Sequence, residues 1–298
     1  MCGIVGLLAK TESIENDLGK LIVPMFACMA DRGPDSGGCA FFSNSLKADG
    51  RKFSLYTIDP AFDWHAWHRS LKEAIGVESR LEPLDNHAVL ISTVEPAALQ
   101  AWLHENSSTV QLLSVGQSIA IYKDEGNPTE IARRYKFDEM SASHCVGHTR
   151  MATESAVTPA HSHPFTAGED FCLVHNGSLS NPYMLRRKLE REGLTFETDN
   201  DTEAGCRYLQ WRMQNGDDLH EALSGALADL DGFYTLLMAT ADRMCLVRDA
   251  FACKPAVVAE TDDYVAISSE FRSVAHLPGI ADANIFEPKP EDIYQWQV

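Results

Sequence analysis

The first six residues, MCGIVG, place a cysteine second in the chain, directly before an apolar run. Removal of the initiator methionine, which a small second residue usually permits, would leave Cys2 with a thiol and a free α-amino group. An α-amino group titrates at about pH 7.7–8.0 and a thiol at about 8.5, so such an amine accepts the proton of its own thiol near neutral pH. This start predicts an N-terminal nucleophile that needs no separate histidine. A cysteine before a buried strand is also an ordinary structural feature, so the downstream motifs must decide between a catalytic and a structural cysteine.

Two later segments carry polar side chains at the ends of predicted strands. In GHTRMAT, Arg150 lies near the end of the strand predicted at 145–151, where its guanidinium suits a carboxylate because it donates two parallel hydrogen bonds. In HNGSLSN, Asn176 and Gly177 end a second strand. The pair is compatible with a simple turn, and equally with two donors that point at a developing oxyanion.

A third segment, TDNDTEAG, puts Asp199 and Asp201 just before a helix predicted to begin near Thr202. Helix capping is the simpler interpretation. The functional alternative is that an aspartate binds an ammonium group, so that Arg150 and Asp201 together hold both ends of an α-amino acid. His161 and His163 form an H-x-H pair beside a proline, and we expect them to fix a loop through hydrogen bonds in preference to binding a metal.

Composition limits the possible partners. The chain has 298 residues, 43 acidic against 25 basic, and a formal charge of -18, which disfavours binding to nucleic acid or to an anionic membrane. No stretch approaches the roughly 20 apolar residues of a membrane helix, and because the MCGIVG start has no basic n-region we do not expect export. The eight cysteines include no C-x-x-C pair and indicate reduced thiols in a cytoplasmic protein.

The elements that must position these residues alternate in type along the chain. A strand at the N-terminus is followed by an amphipathic helix over 13–30, the glycine-rich turn RGPDSGG and a hairpin over 40–57. Alternating helices and strands between about 60 and 140 predict an inserted α/β lobe, in which His65 and His68 contribute to helix packing or to a partner surface. Four more strands are predicted between 233 and 270, and the whole of 1–298 is expected to form one domain.

Read together, these segments resemble the class II glutamine amidotransferase domain, an N-terminal-nucleophile hydrolase. The resemblance runs through about 1–45 and 145–275. The motifs that carry it stand in the family's order: Cys2, RGPDSGG, GHTRMAT, HPF, HNGSLSN, NDTE, VRDAFACKP and ISSE.

The resemblance implies a fold and a reaction. The fold is of the α+β class, a four-layer α/β/β/α sandwich, here with the inserted lobe. The family chemistry implies that Cys2 attacks the side-chain amide of glutamine, with Asn176 and the Gly177 N–H as the oxyanion hole. Arg150 would bind the substrate carboxylate and Asp201 its amine, with Thr153 as a further substrate contact.

The chain departs from common family patterns at Met151, where an aromatic residue is frequent, and at Glu154, where some branches have histidine. Its longer lobe is similar to the amidotransferase subunits of split glutamate-synthase-like systems, and most of all to that of N-methylglutamate synthase. This likeness implies a hetero-oligomer in which a partner synthase subunit with flavin and iron–sulfur clusters consumes ammonia or methylamine. The substrate would be glutamine or a γ-glutamyl amide, and no cofactor or metal is expected in this chain.

Two alternatives stay open at this stage. One is an N-terminal-cysteine acylase with another amide substrate, which should lack the Arg150 and Asp201 pair. The other is a catalytically silent glutamine-binding scaffold or regulatory subunit of the same complex.

Overall fold

The computed structural model describes residues 2–46, 49–152 and 156–298. Within these residues the strands are β1 (Gly3–Ala9), β2 (Ser36–Phe42), β3 (Arg51–Thr57), β4 (Ser79–Leu84), β5 (His87–Ser92), β6 (Val110–Gly116), β7 (Ile119–Glu125), β8 (His144–Arg150), β9 (Phe165–Thr166), β10 (Phe171–Leu179), β11 (Gly232–Thr240), β12 (Arg243–Arg248), β13 (Val257–Glu260), β14 (Tyr264–Ser268), β15 (Asn284–Phe286) and β16 (Ile293–Gln297). The α-helices are α1 (Glu12–Cys28), α2 (Trp64–Ile75), α3 (Pro96–Asn106), α4 (Pro128–Arg134), α5 (Pro182–Arg191), α6 (Asp201–Gln214) and α7 (Leu219–Asp229). None of the helices in these ranges is both long enough and apolar enough to cross a membrane.

The strands form three sheets. The first has the order β15-β13-β14-β1-β8-β2-β7, and the second has the order β16-β12-β11-β10-β9. The third, smaller sheet has the order β4-β5-β3-β6. The strand that begins at Gly3 therefore lies in the middle of the first sheet, with β14 on one side and β8 on the other.

Alternation along β1 shows how the layers stack. Ile4 and Leu8 point into a core shared with Val174 of the second sheet, while Val5 and Leu7 point to the opposite side, against α1. The outer face of the second sheet is covered by α5, α6 and α7. The order of layers is helix, sheet, sheet, helix, which confirms the predicted α+β sandwich.

The inserted lobe differs from its predicted bounds of about 60–140. In chain order, β3 is the first strand of the third sheet and β6 is the last. Helices α2 and α3 pack on this sheet around Trp64 and Trp67. By contrast, β7 belongs to the first sheet because Ile119 and Ile121 face the core between the two large sheets. The lobe sheet therefore spans residues 51–116, and the single-domain organisation of 1–298 stays a prediction.

The hairpin predicted over 40–57 is wrong. β2 pairs with β7 and β8 of the first sheet, whereas β3 pairs with β5 and β6 of the lobe. Phe53 and Leu55 of β3 pack in the core of the lobe, and the chain leaves one sheet and enters another between the two strands.

Asp170 joins the start of β10 to the junction between the lobe and the first sheet. Its carboxylate accepts hydrogen bonds from the backbone N–H groups of Gln117 (2.8 Å), Ser118 (2.9 Å) and Ile119 (3.0 Å). The residue has a positive φ of 48°, a conformation that Asp and Asn tolerate better than most residues. One side chain thus connects the second sheet to the turn between β6 and β7.

We expect Asp170→Asn to lower the free energy of unfolding by about 1–3 kcal/mol, because Asn keeps the backbone conformation but places an N–H₂ group against a backbone donor. Denaturant titration measures the change. Glu169→Gln is the matched control, since Glu169 forms a half-exposed ion pair with Arg51 and its loss should change stability little. Equal effects of the two substitutions would contradict this role of Asp170.

Candidate active site

Cys2 directly precedes β1, and the pairing of that strand holds it in place. Gly3 is opposite Thr149 of β8, and Val5 is opposite Ser268 of β14. The N–H of Ile4 donates to Ser269 Oγ (3.0 Å), and the Ser269 N–H donates back to the Ile4 carbonyl (3.0 Å). The N-terminal strand is therefore buried and paired on both sides, as the sequence predicts.

The Cys2 sulfur lies at the edge of the space between the two large sheets. Side chains at positions 4 and 8 point into that space, so by alternation position 2 faces it too. The thiol lies 3.9 Å from the Met151 carbonyl oxygen and is partly exposed. Gly3 is required behind it, because a Cβ there would lie 2.9 Å from Thr149 Oγ1 and from Met29 Cβ.

Arg32 holds the Cys2 backbone from the other side. Its Nε donates to the Cys2 carbonyl oxygen (3.1 Å), and its Nη1 pairs with Glu270 (2.7 Å). Sequence analysis places Arg32 in the glycine-rich turn RGPDSGG and does not identify either residue as part of the site. The sequence signal that could have identified Arg32 and Glu270 is their place in RGPDSGG and ISSE, two of the motifs that carry the family resemblance.

Arg150 ends β8 next to Cys2 in the ladder and is opposite Ser36 of β2. It is 5% exposed, and Nη1 donates to the Ala156 carbonyl (2.8 Å). Burial lowers the pKa of the guanidinium from its ordinary value. Four acidic groups within electrostatic range oppose that shift, namely the Cys2 thiol, Asp35, Asp199 and Asp201. The structure therefore brings Arg150 within electrostatic range of Cys2 and of Asp199 and Asp201 at the start of α6.

Asp35 fixes the segment that follows Arg150. Its carboxylate accepts from the Ala152 N–H (2.8 Å), and its own N–H donates to the Arg150 carbonyl (3.1 Å). The glycine-rich turn thus organises the start of the loop after β8, a role that the sequence left open. Thr153 and Glu154, the predicted substrate contact and the second family departure, lie outside the described residues.

Asn176 and Gly177 lie in the last part of β10. Cys172 and Val174 point into the core between the sheets, so Asn176 faces the same space as Cys2. Its side-chain Nδ2 is buried and has no hydrogen-bond partner within the described residues. Gly177 has φ +145°, and a Cβ there would lie 1.9 Å from the Phe233 carbonyl oxygen, so only glycine fits. A buried donor without a protein partner is a natural contact for a ligand or an ordered water.

Asp201 is the first residue of α6 and connects that helix to β10. Its Oδ2 accepts from the Leu179 N–H (2.9 Å), and its Oδ1 lies 3.8 Å from His175 Nδ1. The helix is capped by Asn200, whose side chain accepts from the Thr202 N–H (2.9 Å). Because Asn200 provides the side-chain cap, the capping interpretation does not account for Asp201.

The loop between β8 and β9 is held by hydrogen bonds. His161 Nε2 lies 3.0 Å from Asp199 Oδ1, and its Nδ1 lies 2.7 Å from Thr158 Oγ1. Lys123, buried on β7, donates to the carbonyls of Ser162 (2.9 Å) and Pro164 (3.1 Å). This confirms the loop-fixing interpretation of His161. Over the described ranges, no cluster of three or more His, Cys, Asp or Glu residues has an arrangement that would hold a metal.

Three buried imidazoles lie next to the site. The rings of His148 and His163 stack with centroids 3.9 Å apart, and the backbone N–H of His175 donates to His163 Nδ1 (3.3 Å). Burial lowers the pKa of His148 to about 3 and also lowers the pKa of His163 and His175. Burial thus favours the neutral form of all three imidazoles.

Comparison with known proteins identifies the family of this chain. Residues 148–276 match the model of a glutamine amidotransferase domain. The chain is 47% identical over 297 residues to the glutamine amidotransferase-like protein GlxB of Rhizobium meliloti (strain 1021). The aligned region covers 99% of this chain and 98% of that protein. It is 29% identical over 308 residues to a putative glutamine amidotransferase of Methanothermobacter thermautotrophicus, covering 99% of this chain and 100% of that protein.

A solved structure supports the fold. Glutamine phosphoribosylpyrophosphate amidotransferase from B. subtilis superposes with a TM-score of 0.63 at 16% identity. The match covers 99% of this chain and 49% of the solved chain, so this chain spans about half of that protein. At this identity the similarity shows a shared fold.

The buried histidines predict a pH dependence of stability. An imidazole held neutral in the folded protein binds its proton only after unfolding, so the free energy of unfolding falls as pH drops below the ordinary histidine pKa of 6.5. We expect His148→Gln to reduce this slope between pH 6 and 4 by about 1.4 kcal/mol per pH unit.

Denaturant titrations at several pH values measure that slope. His65→Gln is the control, because His65 is exposed on α2 and its replacement should leave the slope unchanged. An unchanged slope in His148→Gln would show that His148 binds its proton equally well in the folded and unfolded states.

Proposed function

Because this chain belongs to the class II glutamine amidotransferase family, we propose that it is the amidotransferase subunit of a larger synthase and supplies an amine to a partner. As a member of this family it is an enzyme that hydrolyses an amide. The proposal extends to which residues act and where the amine goes. Cys2 is the nucleophile, Asn176 and Gly177 stabilise the oxyanion, and Arg150 and Asp201 bind the substrate.

The reaction has two balanced steps. The Cys2 sulfur forms a bond to the side-chain carbonyl carbon of the substrate, and the thiol proton passes through the α-amino group of Cys2 to the departing nitrogen. The C–N bond breaks and gives a γ-glutamyl thioester and a free amine. Water then attacks the thioester, so that glutamate leaves and the thiol re-forms. In each step negative charge develops on the carbonyl oxygen.

The observation that carries the proposal is the buried Asn176 amide. Its Nδ2 has no partner within the described residues and faces the space that the thiol faces. A preorganised donor of this kind lowers the barrier of acyl transfer because it meets charge that develops only in the transition state. The Gly177 N–H would supply a second donor, on a backbone that its contact with Phe233 keeps in position.

The substrate clamp is supported by charge and position. Arg150 is a buried cation next to Cys2, and burial strengthens its attraction for a carboxylate. Asp201 lies within electrostatic range of Arg150 at the end of β10, where its carboxylate already accepts one backbone hydrogen bond. The two opposite charges match the carboxylate and ammonium of a free α-amino acid. Thr153 stays a predicted contact.

The partner we propose is a synthase of the N-methylglutamate synthase type, whose subunits would carry flavin and iron–sulfur clusters. An amine released into water at neutral pH is protonated and no longer a nucleophile, so a partner must receive it directly. The lobe around β3 to β6 is our first candidate for the docking surface. Met151 is 40% exposed and its carbonyl oxygen lies 3.9 Å from the thiol, and a methionine at this position is compatible with the extra methyl group of γ-glutamylmethylamide.

The amine that is released tests this proposal. We expect the complex with its synthase subunits to release methylamine from γ-glutamylmethylamide as well as ammonia from glutamine, and Cys2→Ala to release neither. Quantitative chromatography of the derivatised amines provides the measurement. Cleavage of glutamine alone would rule out γ-glutamylmethylamide as the substrate, and amine release by Cys2→Ala would overturn the mechanism.

Arg150 offers a second test. In Arg150→Lys we expect KM for glutamine to rise roughly 10- to 100-fold with a smaller change in kcat, because a point charge replaces a two-pronged donor to a carboxylate bound in both the ground and transition states. Steady-state ammonia release measures both constants. Arg133→Lys, on the exposed surface of α4, should leave them unchanged. A fall in kcat with no rise in KM would show that Arg150 binds the transition state and not the ground state of the substrate.

A further inference from the structure

Glu203 is a buried carboxylate with an unusual set of partners. It lies in the first turn of α6, and its side chain is 3% exposed. Its Oε1 accepts from the Glu197 N–H (2.8 Å), and its Oε2 accepts from the Thr198 N–H (2.7 Å) and Thr198 Oγ1 (2.7 Å). Three donors from one loop thus converge on a single side chain.

These bonds shape the loop more than they cap the helix. A glutamate at the third helical position commonly accepts from the N–H of the capping residue. Here the cap is Asn200, and its N–H donates to Thr198 Oγ1 (3.2 Å), which in turn donates to Glu203. The carboxylate therefore sets the path of residues 197–200, which lead directly into Asp201.

Arg186 supports the same loop from α5. Its guanidinium donates to the Asn200 carbonyl and lies 3.9 Å from Glu203, and its Cζ lies 4.4 Å from the centre of the Phe196 ring. Arg207 lies 3.9 Å from the same carboxylate. Two guanidinium groups thus lie within 4 Å of the buried Glu203 carboxylate and can offset its charge.

We propose that Glu203 is a positioning residue for recognition of the substrate α-amino group, because it holds the loop that places Asp199 and Asp201 beside Arg150. This inference rests on the proposed function. Asp201 binds the ammonium only if α6 begins where it does, and the start of α6 is set by Asn200 and Thr198 through Glu203. Loss of the carboxylate releases the loop without altering Cys2, Arg150 or Asn176.

Glu203→Gln provides the test, with ammonia release measured in the complex for two substrates. Glutaramate has the side-chain amide and the carboxylate of glutamine but lacks its α-amino group. We expect the substitution to raise KM for glutamine roughly 10-fold with little change in kcat, because an amide N–H₂ replaces an acceptor of the loop donors. KM for glutaramate should stay unchanged, so the preference for glutamine falls by the same factor.

Glu197→Gln is the matched control. It removes the same charge from the same loop, but its carboxylate is largely exposed and lies 4.0 Å from Arg207. We expect it to retain the full preference for glutamine. Thr198→Val, which deletes only the hydroxyl that links Asn200 to Glu203, should reduce the preference in the same direction and covers the case in which Glu203→Gln does not fold.

The outcomes separate this inference from the proposed function. If the unchanged protein releases no amine from glutamine, the proposed function fails. If it is active and Glu203→Gln loses thermal stability but keeps its ratio of kcat/KM between glutamine and glutaramate, Glu203 has only a structural role and the inference is overturned. An unchanged ratio in Thr198→Val would overturn it as well.

Discussion

The site depends on the backbone pairing of β1 with its two neighbours. That ladder places Gly3 opposite Thr149, so the residue before β1 and the residue that ends β8 meet at the same edge of the sheet. β14 pairs along the other side of β1, and Ser269 closes the ladder through two hydrogen bonds with Ile4. The N-terminal residues, which would otherwise fray, are held as firmly as a central strand. The Cys2 thiol is therefore kept in a fixed position.

The second sheet supplies the rest of the site. β10 brings Asn176 to the space that Cys2 faces, and its last residue, Leu179, donates to Asp201 at the start of α6. Charge then organises the cleft. Arg150 is a buried cation among the thiol and three aspartates, while the adjacent imidazoles are kept neutral by burial. An acidic chain thus contains a buried guanidinium at the position where we propose that the substrate carboxylate binds.

Local patterns in the sequence predict many of the strands and helices, and the family resemblance assigns the roles of the proposed site residues. The apolar run after Cys2, the strand that ends at Arg150 and the helix after Asp199 are short-range features, and the structure has each of them. The strand predicted to end at Asn176 and Gly177 instead continues to Leu179, because its pairing with β11 extends to Gly232. Sheet membership was harder, because periodicity identifies a strand but not its neighbour. For that reason the supposed hairpin partners β2 and β3 belong to different sheets. Arg32 and Glu270 were missed because 238 residues separate them, and Glu203 was missed because its role requires the path of the loop.

The most direct measurement of the central claim is mass spectrometry of the N-terminal peptide after reaction with a glutamine-like electrophile. The account predicts a mature chain that begins at Cys2, carries one label on that thiol, and is protected from labelling by glutamine. Active protein that retains Met1, or labelling on another cysteine with Cys2 unmodified, would contradict it.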